Sequence, residues 1–312
     1  MKKPILLTGS HRSGTTWVGK IMSASNGVGY ILEPFHLHAH RPGLVGAKFD
    51  YWFQYVYGEN GNKYYKPIKN MLEFQFDLIS GLRGVRSSRD FAKLLRDYYN
   101  CTRYRLDGSR PLVKEPTAIF TAPWFAGTFD ADIIILIRHP AAFVSSLKIL
   151  DWKFDFSNLI EQKDLMGEYL APFDKEINEY ARKKCDVLDQ AILLWRIIHY
   201  TIGEYQKKYE NWVFVRHEDL SLDPMKEFES LFSKLNLDFS EKVKERISAY
   251  SAHSNPSDTT SKNLILQSNL SLKRDSQSNI HNWKRRLTNA EINHIRDNVE
   301  DISTVFYGDN EW

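Results

Sequence analysis

A loop between two glycines near the start of the chain has the composition of an anion-binding site. It reads Gly9-Ser10-His11-Arg12-Ser13-Gly14-Thr15-Thr16. Two glycines permit a tight turn, and backbone N–H groups at the N-terminus of a following helix bind anions. Arg12 adds a positive charge, and Ser13, Thr15 and Thr16 add hydroxyl groups. The loop therefore predicts a binding site for a small anionic group.

The spacing of this loop resembles a Walker A loop, G-x-x-x-x-G-K-[ST], but Thr15 stands where the lysine belongs. A kinase or ATPase uses that lysine on the β- and γ-phosphates, and it needs a hydroxyl and a downstream acid to hold Mg²⁺. Here the positive charge lies earlier, on Arg12. The arrangement favours a short phosphosulfate group over a triphosphate–magnesium complex. A P-loop nucleotide kinase remains as the alternative, which a magnesium-dependent ATPase activity would support.

The elements that must position this loop alternate between strands and helices. Ile5 to Thr8 is a short apolar run, and a helix from roughly 15 to 24 follows the loop. Residues 132–137 are continuously apolar after Asp132, as in a strand buried on both faces of a parallel sheet. The patterns also predict strands at 112–114 and 212–215, the latter buried, and helices at 119–129, 140–150, 187–207, 224–235 and from about 289. This alternation predicts an α/β fold with a central parallel sheet flanked by helices. The resemblance of the loop to a Walker A loop implies that this is a P-loop-containing nucleotide-binding fold.

Two stretches interrupt the alternation. Residues 44–110 are rich in Tyr, Trp and Phe, and residues 151–182 mix aromatic and charged side chains. We interpret both as insertions in a single domain, 1–312. The aromatic side chains at 51–65 are expected to pack in the core, with the lining of an acceptor pocket as the alternative. Residues 251–282 are rich in Ser, Asn and Thr, which favours a long loop.

Bulk composition limits the class of partner. Among 312 residues, 42 Lys and Arg against 39 Asp and Glu leave a net charge of +3. This balance argues against a general nucleic-acid-binding protein and permits a local basic pocket. Cys101 and Cys185 are too few for a disulfide framework, and buried thiols are expected. The first apolar run is too short for a signal peptide, and no stretch approaches the roughly 18 apolar residues of a membrane span. A cytoplasmic protein is expected.

With Trp17 included, the string Arg12-Ser13-Gly14-Thr15-Thr16-Trp17 closely resembles the 5′-phosphosulfate loop of the PAPS-dependent sulfotransferases. PAPS is 3′-phosphoadenosine 5′-phosphosulfate, and the product that remains after sulfuryl transfer is the 3′,5′-bisphosphate PAP. The resemblance implies that these six residues bind PAPS as a co-substrate. It also implies the sulfotransferase fold for the whole chain outside the two insertions.

The stretch from Leu136 to Ser146 is similar to the 3′-phosphate motif of the same family. The resemblance implies that Arg138 and Ser146 bind the 3′-phosphate of PAPS. Arg138 leaves the carboxyl end of a predicted strand, which is where α/β sheets bind ligands. Ser146 lies two turns along the next helix, so both side chains reach one phosphate only if the start of the helix folds back toward the ligand.

A later stretch, residues 274–288, resembles the closing segment of the family. The resemblance implies that Arg274, Trp283 and Lys284 help to bind the 3′-phosphate and the adenine. Residues 215–220 also look like a family segment between a strand and a helix. We interpret that segment as structural, with Asp219 or Asp223 as a helix cap.

The residue that would activate the acceptor differs from the one that the cytosolic small-molecule sulfotransferases use. Lys114 is similar to a strand-end lysine that those enzymes follow, two residues later, with a catalytic histidine; here Pro116 stands at that position. Glu33 precedes a proline in a segment similar to the glutamate-proline segment of carbohydrate sulfotransferases, where the glutamate is the proposed base. We therefore expect Glu33 to be the base, with Arg12 and Lys114 neutralising charge on the transferring group. Glu115 is the alternative base.

Three alternating histidines, His36, His38 and His40, could face one way on an extended segment. Three ligands so close along one strand rarely converge on one ion, and no Cys or acid completes the set. We expect these histidines to bind no metal and to form a polar wall beside the acceptor instead.

The sequence thus predicts a sulfotransferase that moves a sulfuryl group to an acceptor hydroxyl by in-line displacement, with a non-catalytic PAPS-binding protein as a further alternative. The acceptor and the oligomeric state stay open.

Overall fold

The computed structural model describes residues 2–37, 41, 43–183, 185–252, 255 and 275–312. Three residues named above, His38, His40 and Arg274, lie outside the described residues, as does most of the predicted loop at 251–282. Of the remaining part of that loop, residues 276–280 form a short helix, so the prediction of a continuous loop is wrong there.

A five-stranded, wholly parallel sheet lies at the centre of the fold, with strand order β2-β3-β1-β4-β5. The strands are β1 (Ile5–Gly9), β2 (Val28–Leu32), β3 (Arg110–Lys114), β4 (Asp132–Ile137) and β5 (Val213–Arg216). The central strand β1 therefore has β3 on one side and β4 on the other. The predicted α/β fold with a central parallel sheet flanked by helices is confirmed.

Helices connect the strands and cover both faces of the sheet. They are α1 (Thr15–Met22), α2 (Gly58–Leu72), α3 (Leu78–Arg83), α4 (Ser88–Leu106), α5 (Ala122–Phe129), α6 (Pro140–Leu150), α7 (Ser157–Ile160), α8 (Lys163–Glu168), α9 (Asp174–Arg182), α10 (Val187–Lys208), α11 (His217–Leu222), α12 (Pro224–Lys234), α13 (Glu241–Ser251), α14 (Ser276–Ile280), α15 (Trp283–Arg286) and α16 (Asn289–Ser303). Short 3₁₀ turns lie at Ala171–Phe173 and Asp309–Glu311. No helix within the described residues is long and apolar enough to cross a membrane.

The strands are apolar on both sides because each face of the sheet packs against helices. In β4, Ile133 and Ile135 face the larger core cluster, whereas Ile134 and Leu136 face the smaller one. The larger cluster includes much of α10, whose Trp195 is fully buried. A continuous apolar run is the pattern that this two-sided burial requires.

Two details of the sheet differ from the predictions. Strand β2 was not predicted, because Val28–Leu32 is short and holds a glycine and a tyrosine. Strand β5 begins at Val213, and it is only partly buried because it lies at the edge of the sheet. The prediction of a buried strand at 212–215 is wrong for that reason. Helix α5 begins at Ala122, three residues after the predicted start.

The register of the sheet brings the carboxyl ends of all five strands to one edge. Leu32 is opposite Lys114, Gly9 is opposite Leu136, and Ile137 is opposite Arg216. The residues that follow these strand ends therefore lie side by side, in the order of the strands. This edge is where open parallel sheets bind their ligands.

Candidate active site

Two glycines of the loop after β1 are required by close approaches of other parts of the chain. Gly9 has φ +147°, and a Cβ atom there would lie 2.4 Å from the carbonyl oxygen of Leu136 on the neighbouring strand. Gly14 has φ +94°, and a Cβ atom there would lie 2.4 Å from Nδ1 of His217. Any other residue would strain the backbone and collide. The loop can therefore pack closely against β4 and α11, and helix α1 begins directly after it.

Arg12 joins the two predicted phosphate motifs. Its Nε donates a hydrogen bond of 2.9 Å to Oγ of Ser146 on α6. Arg12 itself has φ 65°, in the left-handed region that non-glycine residues rarely adopt. Strain of this kind persists where the surrounding structure enforces it, and it concentrates at functional sites. Ser146 on α6 therefore contacts the loop.

Arg138 follows β4 and is buried, with 7% of its surface exposed. Its Nε lies 3.5 Å from Oε1 of Glu218, and that carboxylate also accepts hydrogen bonds from Tyr307 Oη (2.9 Å) and His139 N (3.2 Å). Burial lowers the pKa of Arg138, Glu218 opposes that shift, and the positive charge of Arg286 adds to it. Arg138 and Arg286 both line the cavity described below and repel each other electrostatically, so an anion between them would be stabilising.

Glu33 and Lys114 form an ion pair at the ends of β2 and β3. The two residues are also joined through the backbone, where Glu33 N donates to Lys114 O at 2.8 Å. Lys114 is buried, with 2% of its side chain exposed, whereas 34% of the Glu33 side chain is exposed. Glu33 has φ 45°, so its backbone, like that of Arg12, lies in the left-handed region. The pair fixes a carboxylate at the edge of the cavity described below.

Glu115, next in the chain to Lys114, has different surroundings. It is 1% exposed, and its carboxylate accepts hydrogen bonds from Phe35 N (2.9 Å), Thr117 N (3.2 Å) and Thr117 Oγ1 (2.7 Å). Burial raises its pKa, and these hydrogen bonds oppose the shift. Its hydrogen bonds join the segment after β2 to the segment after β3.

A cavity of about 470 Å³ runs along the carboxyl edge of the sheet. Its described wall includes Glu33 and Lys114 at the β2–β3 end, Arg12 in the middle, and Arg138 toward the β4–β5 end. The other wall residues are His11, Gly14, Thr15, Thr16, Trp17, Pro116, Ala142, Ser146, Ile149, Leu150, Trp152, His217, Ser221, Tyr250, Ser276, Asn279 and Arg286. Glu33 is the only carboxylate among these wall residues, against four arginine and lysine side chains.

Within the described part of the chain, several buried polar atoms in this wall have no hydrogen-bond partner. They are Trp17 Nε1, Ser221 Oγ and both ring nitrogens of His217. Buried polar groups are normally paired, because an unpaired one costs on the order of 1–3 kcal/mol. A polar, anionic ligand in this cationic cavity would form hydrogen bonds with these unpaired atoms.

The wall between Arg12 and the outside is neutral and aromatic. The ring of His11 lies 5.0 Å from that of Trp152 and 5.3 Å from that of Phe143. Burial lowers the pKa of His11 to about 3, and the charge of Arg12 adds to the effect. His11 is thus neutral at physiological pH. Trp152 keeps 44% of its surface exposed, so it presents an aromatic face.

The structure brings most of the predicted site residues together and leaves three apart. Gly14, Thr15, Thr16, Trp17, Arg12, Arg138, Ser146, Glu33 and Lys114 all line the cavity. Ser13 is buried, and its hydroxyl donates to Ser10 O at 2.5 Å. Trp283 is buried and stacks on His139, with 5.1 Å between ring centroids, and Lys284 Nζ donates to the carbonyl of Trp312. None of these three is in the cavity wall.

The remaining predictions concern capping, histidines and aromatic packing. Asp223 caps α12 by accepting from Lys226 N at 3.2 Å, as predicted. His36 packs edge-on against Trp52 at 4.9 Å, away from the cavity wall. Of the aromatic stretch at 51–65, Phe53 and Tyr64 are buried in the larger core cluster, and none of this stretch lines the cavity. Core packing is therefore the role of Phe53 and Tyr64.

Sequence reasoning missed several wall residues. His217 and Ser221 come from α11, which the sequence marked only as a structural segment, and Asn279 comes from the helix inside the predicted loop. Arg286 belongs to the basic string that drew attention to Lys284, but the pattern could not show which of its cations faces the cavity. His11 belongs to the loop string itself.

The fold and the cavity define a class of protein before any comparison. The structure combines a parallel α/β sheet with a glycine loop and an arginine-rich cavity at its carboxyl edge, where parallel sheets bind ligands and helix N-termini attract anions. The profile of the sulfotransferase family matches residues 4–241 of this chain. The chain belongs to the sulfotransferase family, and it is a sulfotransferase enzyme.

Comparisons with solved structures list distant neighbours. One is the sulfotransferase domain of the Synechococcus PCC 7002 olefin synthase, 15% identical, with a TM-score of 0.49 over 99% of this chain and 97% of that chain. Another is the mouse sulfotransferase SULT7A1 complexed with PAP, 11% identical, with a TM-score of 0.49 over 100% of this chain and 87% of that chain. A third is sulfotransferase STF9 from Mycobacterium avium, 12% identical, with a TM-score of 0.46 over 97% and 76%. Among curated proteins, none matches the sequence significantly.

Proposed function

We propose that this protein transfers the sulfuryl group of PAPS to an acceptor hydroxyl, with Glu33 as the general base. The observation that carries the proposal is the order of charges along one cavity. The Glu33–Lys114 pair lies at one end, Arg12 lies in the middle, and Arg138 lies with Arg286 toward the other end. A donor with a phosphate at each end of its ribose needs two separate cationic sites joined by one groove.

The described residues fit the donor. The loop N–H groups, Arg12 and the hydroxyls of Thr15 and Thr16 would hold the 5′-phosphosulfate. Arg138, Arg286 and Ser146 would hold the 3′-phosphate. Trp17 Nε1 and the ring nitrogens of His217, which have no partner among the described residues, lie in the same wall and would bind the nucleoside. When bound, PAPS supplies an activated sulfuryl group, and PAP is the product. We propose no metal role, because the cationic side chains can hold the bisphosphate.

The protein's own residues would carry the acid–base chemistry. Glu33 takes the proton from the acceptor hydroxyl, and its partly exposed carboxylate is accessible to that proton. Lys114 holds the carboxylate in place, and with Arg12 it neutralises the negative charge that develops as the group is transferred. Glu115 is a weaker candidate, since its oxygens are occupied by Phe35 and Thr117 and it does not line the cavity.

The acceptor that we propose is a carbohydrate or another small hydroxyl compound. Three of the described wall residues, Pro116, His11 and Trp152, are neutral and have no part in the proposed transfer. An aromatic face beside a single base suits a ring that carries a hydroxyl group. Among the described wall residues, the charged ones are Glu33, Lys114 and three arginines, and all are already assigned to the transfer or to the donor.

The test is the release of PAP from PAPS in the presence of a panel of hydroxyl acceptors, with ATP and magnesium as the control donor. We expect acceptor-dependent release of PAP and no hydrolysis of ATP. Tight PAP binding without transfer to any acceptor would support the non-catalytic binding protein instead. Phosphate release from ATP would support the kinase.

A further inference from the structure

An apolar surface that the proposed reaction does not use lies on α3 and α4, on the side of the sheet that carries β2. Its members are large apolar side chains that remain exposed: Leu78, Ile79, Leu82, Phe91, Leu95, Tyr98, Tyr99 and Leu106. Ile79 is 66% exposed, Tyr99 64% and Leu106 82%. Contiguous apolar surface of this kind usually marks a place of contact with another protein or a membrane. We call it the α3–α4 surface.

The exposed residues of α4 form one stripe. Phe91, Leu95, Tyr98, Tyr99 and Leu106 fall within an arc of about 100° on a helix with 3.6 residues per turn. This stripe is separate from the face that packs on the protein, which carries the buried Leu94 and Cys101. Helix α4 thus has one apolar face for the core and a second that the described residues leave uncovered.

Helix α3 is held against α4, so the two helices present one surface. A Cβ atom on Gly81 would lie 3.0 Å from Leu94 Cδ1, so the helices meet closely at that glycine. The ring of Phe76, just before α3, packs edge-on against that of Tyr98 at 5.8 Å. Both helices also have side-chain caps, since Asp77 accepts from Ser80 N and Ser87 accepts from Asp90 N. The surface is part of the folded structure.

The charge around the stripe is strongly positive. Residues 78–106 contain seven basic residues and two acidic ones, against a net charge of +3 for the whole chain. The basic residues are Arg83, Arg86, Arg89, Lys93, Arg96, Arg103 and Arg105. Both acids have local partners, because Asp90 bonds to Ser87 and Asp97 pairs with Arg41 and Arg96. Much of the positive charge of the protein is therefore concentrated beside its exposed apolar stripe.

We propose that the α3–α4 surface docks on an anionic lipid bilayer. A helix with an apolar face and a lysine- and arginine-rich polar face lies in the plane of the interface, with its apolar side chains among the acyl chains and its cations at the headgroups. Tyrosines such as Tyr98 and Tyr99 suit this boundary, because one end of the ring is apolar and the other is polar. A second copy of this chain is a poorer occupant, since two such surfaces would bring their positive charges together.

Docking would also orient the active site. Asp97 of α4 pairs with Arg41 at 3.1 Å, and Arg41 donates a hydrogen bond to the carbonyl of Leu32. Leu32 is the last residue of β2 and directly precedes Glu33. The surface is therefore attached to the segment that carries the proposed base. This link does not enter the docking test, which measures binding without any turnover.

The test is cosedimentation of the full-length protein with vesicles, made of phosphatidylcholine alone or mixed with phosphatidylserine. We expect binding only to the mixed vesicles, and release at about 0.5 M salt, where the Debye length is about half its physiological value. Leu95→Glu should weaken binding about tenfold or more. The double variant Arg89→Gln/Arg103→Gln should weaken it about 25-fold, at roughly fivefold for each charge.

The matched control is Val305→Glu. Val305 is also exposed, at 60%, but it lies beside β5 at the opposite edge of the sheet. This variant should bind the mixed vesicles as the wild type does. An equal loss of vesicle binding in Val305→Glu and Leu95→Glu would overturn the proposal. Wild-type binding that is the same with and without phosphatidylserine would also overturn it. A wild-type dimer that Leu95→Glu converts to monomer, without vesicle binding, would assign the surface to a second copy of the chain instead.

Discussion

Replacement of Glu33 by glutamine is the most informative single change in the active site. Glutamine keeps the shape of the side chain and an oxygen that Lys114 can contact, but it cannot take a proton from the acceptor. General base catalysis is worth about 10²–10⁴ in rate, or about 3–5 kcal/mol of barrier. We therefore expect kcat for sulfuryl transfer to fall by at least about a hundredfold in Glu33→Gln.

The effect on stability should be much smaller. Breaking a fully buried ion pair costs about 3–5 kcal/mol. Lys114 is buried, but a third of the Glu33 side chain reaches solvent, so water can partly compensate. With the glutamine oxygen still in contact with Lys114, we expect a loss of about 1–2 kcal/mol in the free energy of unfolding.

The assay measures transfer, PAP binding by calorimetry and urea unfolding on the same preparation. Glu115→Gln is the matched control, because it changes a neighbouring glutamate that does not line the cavity. That variant should lose stability, since Glu115 anchors Phe35 and Thr117, but it should keep turnover in the molecules that are folded. Near wild-type turnover in Glu33→Gln would refute the assignment of the base. Loss in Glu115→Gln alone would transfer the role to that residue.

Three further predictions follow from the donor end of the cavity and the core. Arg138→Ala should weaken PAP binding by about 1.5–3 kcal/mol, measured by calorimetry, while adenosine 5′-phosphosulfate, which lacks the 3′-phosphate, should bind both proteins alike. Gly14→Ala should destabilise the fold by about 1–3 kcal/mol in urea unfolding, because the added methyl group would collide with His217 and because φ is +94° at this position. An unchanged free energy of unfolding would contradict this, since the loop would then accommodate a methyl group. Burial lowers the pKa values of His139 and His199 to about 3. Stability is then complete above about pH 6.5 and falls below it as the unfolded chain takes up protons, by about 1 kcal/mol per histidine between about pH 6.5 and pH 5.5; a flat profile would contradict this.

The sequence predicted the parts of the fold whose signals are local. The apolar run of β4 follows from burial on both faces, and Arg138 follows from its place at the end of that strand. The glycines of the loop after β1 could likewise be recognised from the sequence. Strand β2 was missed because it is short and pairs only on one side, with β3. Its end nevertheless carries Glu33, which the glutamate-proline pattern indicated.

The parts that the sequence could not predict depend on distant segments meeting. His217 and Ser221 reach the cavity because β5 ends beside β4, which no local pattern states. The string at 283–286 holds several cations, and only packing decides that Arg286 lines the cavity while Lys284 donates to the carbonyl of Trp312. The exposed stripe on α4 has helical spacing like any core-facing stripe. Only the structure distinguishes it from the face that carries Leu94.

The most direct test of the central claim follows the sulfuryl group itself. The protein is incubated with PAPS labelled with radioactive sulfur and an extract of small hydroxyl compounds, and the labelled products are separated and identified. The account predicts that the label moves to a hydroxyl-bearing acceptor with wild-type protein, in proportion to the PAP formed, and stays on PAPS with Glu33→Gln. Label that appears only as free sulfate, or equal transfer by both proteins, would contradict it.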